Sequence, residues 1–414
     1  MHGAVPIGFN DLVNLLTQEA KPINGKVSEV PLSEAVGQIL AEDLIAVADM
    51  PAFTNSAMDG YAWRSKDFDQ LSPNSATEAP IFATVTAGHP LTETAPKQSV
   101  IRIMTGAPLP EGFDTVLPIE AAHVECGALH FIPSATKPLT NVRTQGELYR
   151  RGSVLLKAGT RLSIDAIGLA ASNGCGKLAC RVLRAAVFAS GDELVEPEID
   201  RAPVAGKVYN SNGIVVTLLL KTWGVKVDYL GILPDSPEEI ERKFNDILPH
   251  YDLVVCSGGV GPGEHDFTAQ ILSRFGQMQH FHVAMKPGKP FTYARLQSPQ
   301  PVFFVGLPGN PVATNTAARF LLSEVVARLL GTAHQEHRER VLLKNLVKSK
   351  PGRTDFLRAK LLRSSDNQTY AQVLPLQSSA TLLSCAQSDA ILVVDDAVSE
   401  IAEESPVWVY RVTL

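Results

Sequence analysis

The sequence predicts a multidomain α/β plus β protein: a central parallel α/β sheet domain, an inserted β-rich domain, a discontinuous N-terminal domain and a C-terminal all-β domain. Three observations predict it. Between 181 and 332, strand-like apolar runs alternate with helical stretches, the pattern of a parallel sheet covered by helices. From 53 to 142, short apolar runs alternate with Gly and Pro, which reads as a small β module. The 414 residues exceed what one core holds, since domains usually have about 100–200 residues.

In chain order, residues 8–20 (GFNDLVNLLTQEA) place Phe9, Leu12, Val13, Leu15 and Leu16 on one helical face. Residues 33–46 (SEAVGQILAEDLIA) predict a second helix with a Ser cap. The runs IFATV, SVIRIM, TVLPI and LHFIP build the β module. Residues 150–180 begin with short strands and continue as a helix (SIDAIGLAASNG) stopped by Gly174. This block is read as returning to the N-terminal helices, so the module is an insertion. The expected boundaries are 1–52 plus 143–180, 53–142, 181–332 and 333–414. In the third of these, AAVFAS, VKVDYLGIL, DLVVCS and PVFFVG are strands, and helices are expected over 211–223, 237–248, 266–275 and from 311 to Leu330. The runs RVLLKNLV, ILVVDDA and PVWVYRVTL make the last domain β.

Composition limits the partners. Hydrophobic residues make up 45% and charged ones 19%, a globular balance, and the net charge is −6. No global attraction to nucleic acid or to an anionic membrane follows, so an anionic ligand must be held by local groups. Cysteines 126, 175, 180, 256 and 385 form no C-x-x-C pair, so free thiols in a reducing compartment are expected. The first ten residues lack the basic and apolar parts of a leader. No apolar run approaches the ~20 residues of a membrane helix. The expected location is the cytoplasm.

Ligands of open parallel sheets bind beyond the carboxyl ends of the strands. Here those ends carry Asp192 and Glu193, then Asp235, then the loop from Ser257 to Asp266, then Pro308-Gly309-Asn310-Pro311. Ser257, Gly258 and Gly259 open a loop with four glycines, which can turn tightly and offer peptide N–H groups to an anion. Glu264 and Asp266 add hard oxygen donors that suit Mg²⁺. The loop does not fit G-x-x-x-x-G-K-[ST], nor a dinucleotide fingerprint with its downstream acid. A flexible surface turn is the plain alternative, and the two carboxylates weigh against it. Lys286-Pro287-Gly288-Lys289-Pro290 holds two ammonium groups around a rigid turn, which suits phosphate or another oxyanion. A solvated basic turn is equally consistent with spacing alone; its place between sheet strands tips the reading toward function. Thr54 to Ala62 and Ile103 to Pro108 read by themselves as simple turns. Histidines 89, 123, 130, 250 and 280 show no pairing pattern and read as structural or surface residues.

Taken together, PAFTNSAMDGYA, IRIMTGAPLP, NVRTQGE, GDELVEP, SGGVGPGEHDFT, MKPGKPF and GLPGNPV follow the order and spacing of the molybdopterin molybdenumtransferases, the group that includes the gephyrin-type E domains. The resemblance covers nearly the whole chain. It implies an elongated homodimer of four-domain subunits, with 1–52 plus 143–180 as the elongated dimerisation domain and 181–332 as the molybdopterin-binding domain. The implied site is a cleft shared with the second domain of the partner. The implied reaction cleaves adenylyl-molybdopterin in the presence of Mg²⁺ and molybdate, places molybdenum on the pterin dithiolene and releases AMP. By motif, Asp59 and Thr105 match positions of the second domain, and Arg143 matches the arginine of the NVR motif. Glu193, Asp235 and Asp266 match the third-domain acids, with Glu193 and Asp266 as metal ligands. Ser257, Gly258, Gly259, Lys286, Lys289, Pro308, Gly309 and Asn310 would contact substrate. Arg358 (in DFLRAKL) and Ser379 match positions near molybdate. Molybdopterin adenylyltransferase and molybdoenzyme maturation proteins are the implied partners.

The chain departs from the family pattern at Leu148, where an acid is usual, at Gly261, where Ser is usual, and at His282, where Lys or Arg is common. Two other readings stay open on sequence: a non-catalytic molybdopterin-binding or scaffold member of the same fold, and a phosphohydrolase of other pyridine or pterin nucleotides. Tungstate in place of molybdate is also open.

Overall fold

The computed structural model describes residues 5–22, 26–72, 74–197, 202–233, 236–259, 267–333, 337–365 and 367–412. The chain forms two compact units, one from Met1–Glu42, Gly159–Ile167 and Lys177–Leu414, the other from Asp43–Ala158 and Gly168–Gly176.

In the first unit the strands Lys226–Ile232, Arg184–Ala189, Leu253–Ser257 and Val302–Leu307 lie side by side in that order, all parallel. Leu253–Ser257 and Val302–Leu307 are buried throughout, as their unbroken apolar sequences require of strands covered on both faces. One face carries Leu253, Val255, Val305, Leu321 and Val325. The other carries Phe188, Val254, Phe304 and Phe244. The helix Pro237–Ile247 starts where Ser236 accepts a hydrogen bond from the Glu239 N–H and Pro237 occupies the first turn, a start signal written in the sequence.

Two expectations are corrected. The sheet does not stay parallel: Pro290–Leu296 runs antiparallel to Val302–Leu307, and Met278–Lys286 antiparallel to Pro290–Leu296. Only three residues join those last two strands, and so short a link permits only antiparallel neighbours. The helix expected over 33–46 does not form. A 3-10 turn at Leu32–Glu34 gives way to the short strands Ile39–Leu40 and Leu44–Ile45. Gly37 sits at φ +79, and the Leu40 and Ala41 N–H groups donate to the Thr160 and Ala179 carbonyls. Sheet bonds to distant segments thus outcompete a helix of only moderate propensity.

The sheet continues into the C-terminal part. Met285 pairs with Thr354 and Lys286 with Asp355 in parallel register. Beyond Thr354–Arg363 lie the strands Thr369–Val373, Arg338–Leu343, Pro406–Arg411 and Ala390–Val394, with one short helix, Leu383–Ala386. Phe356 packs on Phe9 and Phe320 at ring-centroid distances of 5.1 and 4.6 Å, and Phe320 on Tyr410 at 5.0 Å. These contacts join the N-terminal helix Phe9–Glu19, the long helical run after Pro311 and the last strands in one core.

The second unit is built on a six-stranded sheet in the order His123–Glu125, Ala128–Phe131, Thr77–Val85, Val100–Ile103, Gly60–Trp63, Thr115–Pro118. Trp63, Phe68 and Phe131 cluster on it. No helix among the described residues is long and apolar enough to cross a membrane.

Candidate functional site

The strand directions decide where the chemistry gathers. Arg184–Ala189, Leu253–Ser257, Met278–Lys286 and Val302–Leu307 all end on the same edge of the sheet. Glu193, Ser257, Lys286 and Pro308 therefore emerge on one side. Next to that edge lies a cavity of about 380 Å³, lined by Lys286, Lys289, Pro308, Gly309, Asn310, Arg358 and Ser379 among others. Seven of the residues singled out from the sequence thus line one space.

Its construction is local at each corner. Gly288, buried at φ +114, closes the turn between the lysines, a conformation side chains rarely adopt. The Val283 N–H donates to the Lys289 carbonyl at 2.7 Å. Asn212 holds the Gly309 carbonyl at 2.7 Å, and the Thr314 hydroxyl holds that of Pro308 at 2.5 Å. The amide of Gln377 bonds both the N–H and the carbonyl of Arg358, at 3.1 and 3.0 Å, which fixes the segment carrying Ser379 against the strand Thr354–Arg363.

Charge in this cavity is one-sided. Lys286 and Lys289 have no carboxylate partner among the described residues. Arg358 is only 2% exposed, yet among the described residues its guanidinium donates only to Ser384 Oγ and to the Phe356 and Ser378 carbonyls. Arg353, also in the lining, is matched by Asp355 at 2.8 Å. Several cations facing one space attract an anion, and backbone and hydroxyl groups beside them can complete its hydrogen bonds.

The glycine loop borders the same edge. Gly258 lies at φ +75, and a Cβ there would stand 2.4 Å from the Ser190 carbonyl oxygen and 3.9 Å from the Gly309 Cα. The loop and the Pro308 turn therefore approach as closely as two glycines allow. Ser257 is buried, and its hydroxyl has no partner among the described residues. Glu193 is exposed, with its carboxylate folded over Gly191, and it does not line the cavity. Asp235, Asp266, Glu264 and Gly261 lie outside the described residues. Among the described residues no three His, Cys, Asp or Glu are grouped to hold a metal.

In the second unit three motifs converge. The Asp59 carboxylate accepts the Thr105 N–H and hydroxyl, both at 2.7 Å. Those two bonds, with Arg102 nearby, hold Asp59 below the usual carboxylate range. The turn 104–109 is zipped to the loop 54–58 through the Ser56, Gly106 and Leu109 N–H groups. Arg143 pairs with Asn55 across the strand Val142–Arg143 and is exposed. Gly60 is required because a Cβ would stand 2.0 Å from the Leu117 oxygen. Segments that read singly as plain turns are one structure. Leu148 is 69% exposed, and His282 is exposed on its strand. His123 and His130, read as unpaired, face each other across a hairpin with rings 5.5 Å apart.

With this geometry in place, the chain can be set beside known proteins. It matches the MoeA N-terminal region (domain I and II) over residues 7–174, the probable molybdopterin binding domain over 186–328 and the MoeA C-terminal region (domain IV) over 340–411. It is 36% identical over 382 residues to the molybdopterin molybdenumtransferase of Haemophilus influenzae, covering 91% of this chain and 92% of that one. The chain belongs to the molybdopterin molybdenumtransferases. The Staphylococcus epidermidis relative of the same name is 31% identical over 400 residues, covering 94% of this chain and 91% of that one. A solved molybdopterin biosynthesis MoeA protein from Pyrococcus horikoshii superposes with a TM-score of 0.78 at 27% identity, covering 98% of this chain and 99% of that one.

Sequence reasoning missed Arg353, Gln377 and Asn212. Arg353 had a signal: Lys350-Pro351-Gly352-Arg353 repeats the Lys-Pro-Gly-basic pattern of 286–289. Gln377 and Asn212 act on backbone from distant segments and left no local trace.

Proposed function

We propose that the cavity bordered by Lys286, Lys289, Arg358, Ser379 and Pro308 to Asn310 takes the oxyanion of a Mg²⁺-dependent insertion of molybdate into adenylyl-molybdopterin, with release of AMP. Membership of the family makes the chain a transferase of molybdenum cofactor biosynthesis. The observation that carries the finer reading is the excess of unmatched cations in a space walled by peptide and hydroxyl groups.

The two ammonium groups and the Arg358 guanidinium neutralise oxyanion and phosphate charge, which lowers the barrier to displacing AMP. Ser257, Gly258 and Gly259 offer a free hydroxyl and N–H groups to the nucleotide end. Mg²⁺ is commonly held by one or two carboxylates together with substrate phosphates and water. Glu193 fits that modest demand, with Asp266 and Asp235 as the further acids, and a bound Mg²⁺ would supply charge neutralisation at the pyrophosphate. Asp59, pinned by Thr105, and Arg143 supply the second-unit contribution, from the partner subunit of a homodimer. Exposed Ile214 (44%) and Leu218 (55%), four residues apart on the helix Asn212–Thr222, support such pairing, as one helical face open to a second copy. Five free cysteines support a reducing, cytoplasmic setting. Adenylyltransferase and molybdoenzyme maturation proteins would precede and follow this step.

The test is AMP release from adenylyl-molybdopterin by purified protein with Mg²⁺ and molybdate. Turnover that requires both ions and is lost in Asp266→Ala supports the reading. Tight binding of the nucleotide without AMP release would leave only a binding role.

A further inference from the structure

Behind Arg358 lies a second cavity of about 340 Å³, lined by Asn315, Thr316, Arg319, Arg358, Cys385 and Ser388 among others. Three separate elements bring its ionisable groups together. Arg358 comes from the strand Thr354–Arg363, Arg319 from the π-helical segment Ala318–Leu322, and Cys385 from the short helix Leu383–Ala386. The π segment interrupts a long helix at Arg319, and such interruptions recur at functional sites.

The electrostatics are unbalanced. Arg319 is half-buried and donates to Asn315 Oδ1 at 2.8 Å; Arg358 is buried, and its partners among the described residues are neutral. Burial presses both guanidinium groups below their ordinary range, and among the described residues the ionisable group acting on either is Cys385. That thiol is itself pushed up by burial, so at neutral pH it carries no charge to offset them. Guanidinium groups stay protonated in proteins, and a buried cation without a counter-charge is costly. Two cations, a hydroxyl and an amide around an accessible space match a small dianion with several acceptor oxygens.

We propose that this rear cavity is an oxyanion site, distinct from the lysine-lined one, in which Arg319 and Arg358 hold a tetrahedral dianion of the sulfate, phosphate or molybdate kind against Cys385. It does not depend on the reaction assigned to the front cavity, which the Lys286 and Lys289 side defines.

Cys385 is a built-in reporter. The test is iodoacetamide labelling of the full chain, read peptide by peptide by mass spectrometry, in sulfate, phosphate or molybdate against chloride at equal ionic strength. A bound dianion disfavours the thiolate, so labelling of Cys385 should slow by about tenfold at saturation, while labelling of Cys126 is unchanged. Comparing the three anions identifies which is held. Arg319→Gln should abolish the protection and Lys289→Ala should preserve it. Should Arg319→Gln fail to fold, the pH profile of wild-type labelling decides: its midpoint rises when dianion is present. Equal rates in dianion and chloride, protection that survives Arg319→Gln, or protection lost in Lys289→Ala would each overturn the site.

Discussion

The lysine-lined cavity of the first unit and the Asp59 loop of the second handle charge in opposite ways. In the first, Lys286, Lys289 and Arg358 face a common space with no carboxylate matched to them among the described residues. In the second, the single carboxylate of Asp59 is already satisfied by two Thr105 donors. An unmatched set of cations draws a ligand, whereas a satisfied carboxylate keeps its place and its charge. The comparison assigns binding strength to the first region and positioning to the second.

The sharpest way to break that contrast is to remove the cations. Lys286→Ala with Lys289→Ala should lower turnover by about 10²–10³-fold, the scale of losing charge stabilisation at a reacting oxyanion, with circular dichroism unchanged. Turnover near wild type would make the lysines surface decoration. Next in size, Arg358→Met should weaken molybdate binding by calorimetry yet leave the melting temperature level or higher, because an apolar side chain often replaces a buried charge without loss. A large fall in melting temperature would show that the guanidinium serves the fold instead.

Gly258→Ala tests whether the glycine loop must approach the Pro308 turn. The left-handed φ alone costs about 1–2 kcal/mol, before the close approach to the Ser190 oxygen. Denaturant unfolding should show at least that loss. The smallest effect belongs to the second unit. Thr105→Val removes one of the two donors to Asp59, so its carboxyl should titrate closer to the ordinary ~3.9, as read by carboxyl NMR. The sign follows from linkage: a depressed carboxyl pKa adds stability above the unfolded value, and this is lost as pH falls through the folded one. The variant should therefore show a weaker acid dependence of stability than wild type below about pH 4. An unmoved titration would deny Thr105 its hold on Asp59.

Much of the site was legible because its parts are local. Lys286 and Lys289 announce themselves through the intervening Pro-Gly, Ser257 to Gly259 through their place between strand and helix, and Asn310 through the Pro-Gly before it. Arg319 was not legible. It lies in an apolar helical run with no local motif around it, and only the tertiary structure brings Arg358 and Cys385 to the space it lines. The failed helix at 33–46 has the same origin: the apolar spacing is helical, but the partners that claim those residues lie at 160 and 179.

Periodicity, turn chemistry and capping, which act within a few residues, settled from sequence alone that strands alternate with helices and that loops rich in glycine, lysine and acid follow the strands. Only the folded chain decided which loops meet. The pairing of Met285 with Thr354 and of Lys286 with Asp355 carries Arg358 to the lysines, and the zipper between 54–58 and 104–109 carries Thr105 to Asp59. Such pairings depend on burial and hydrogen bonding between segments distant in the chain, so no local pattern encodes them.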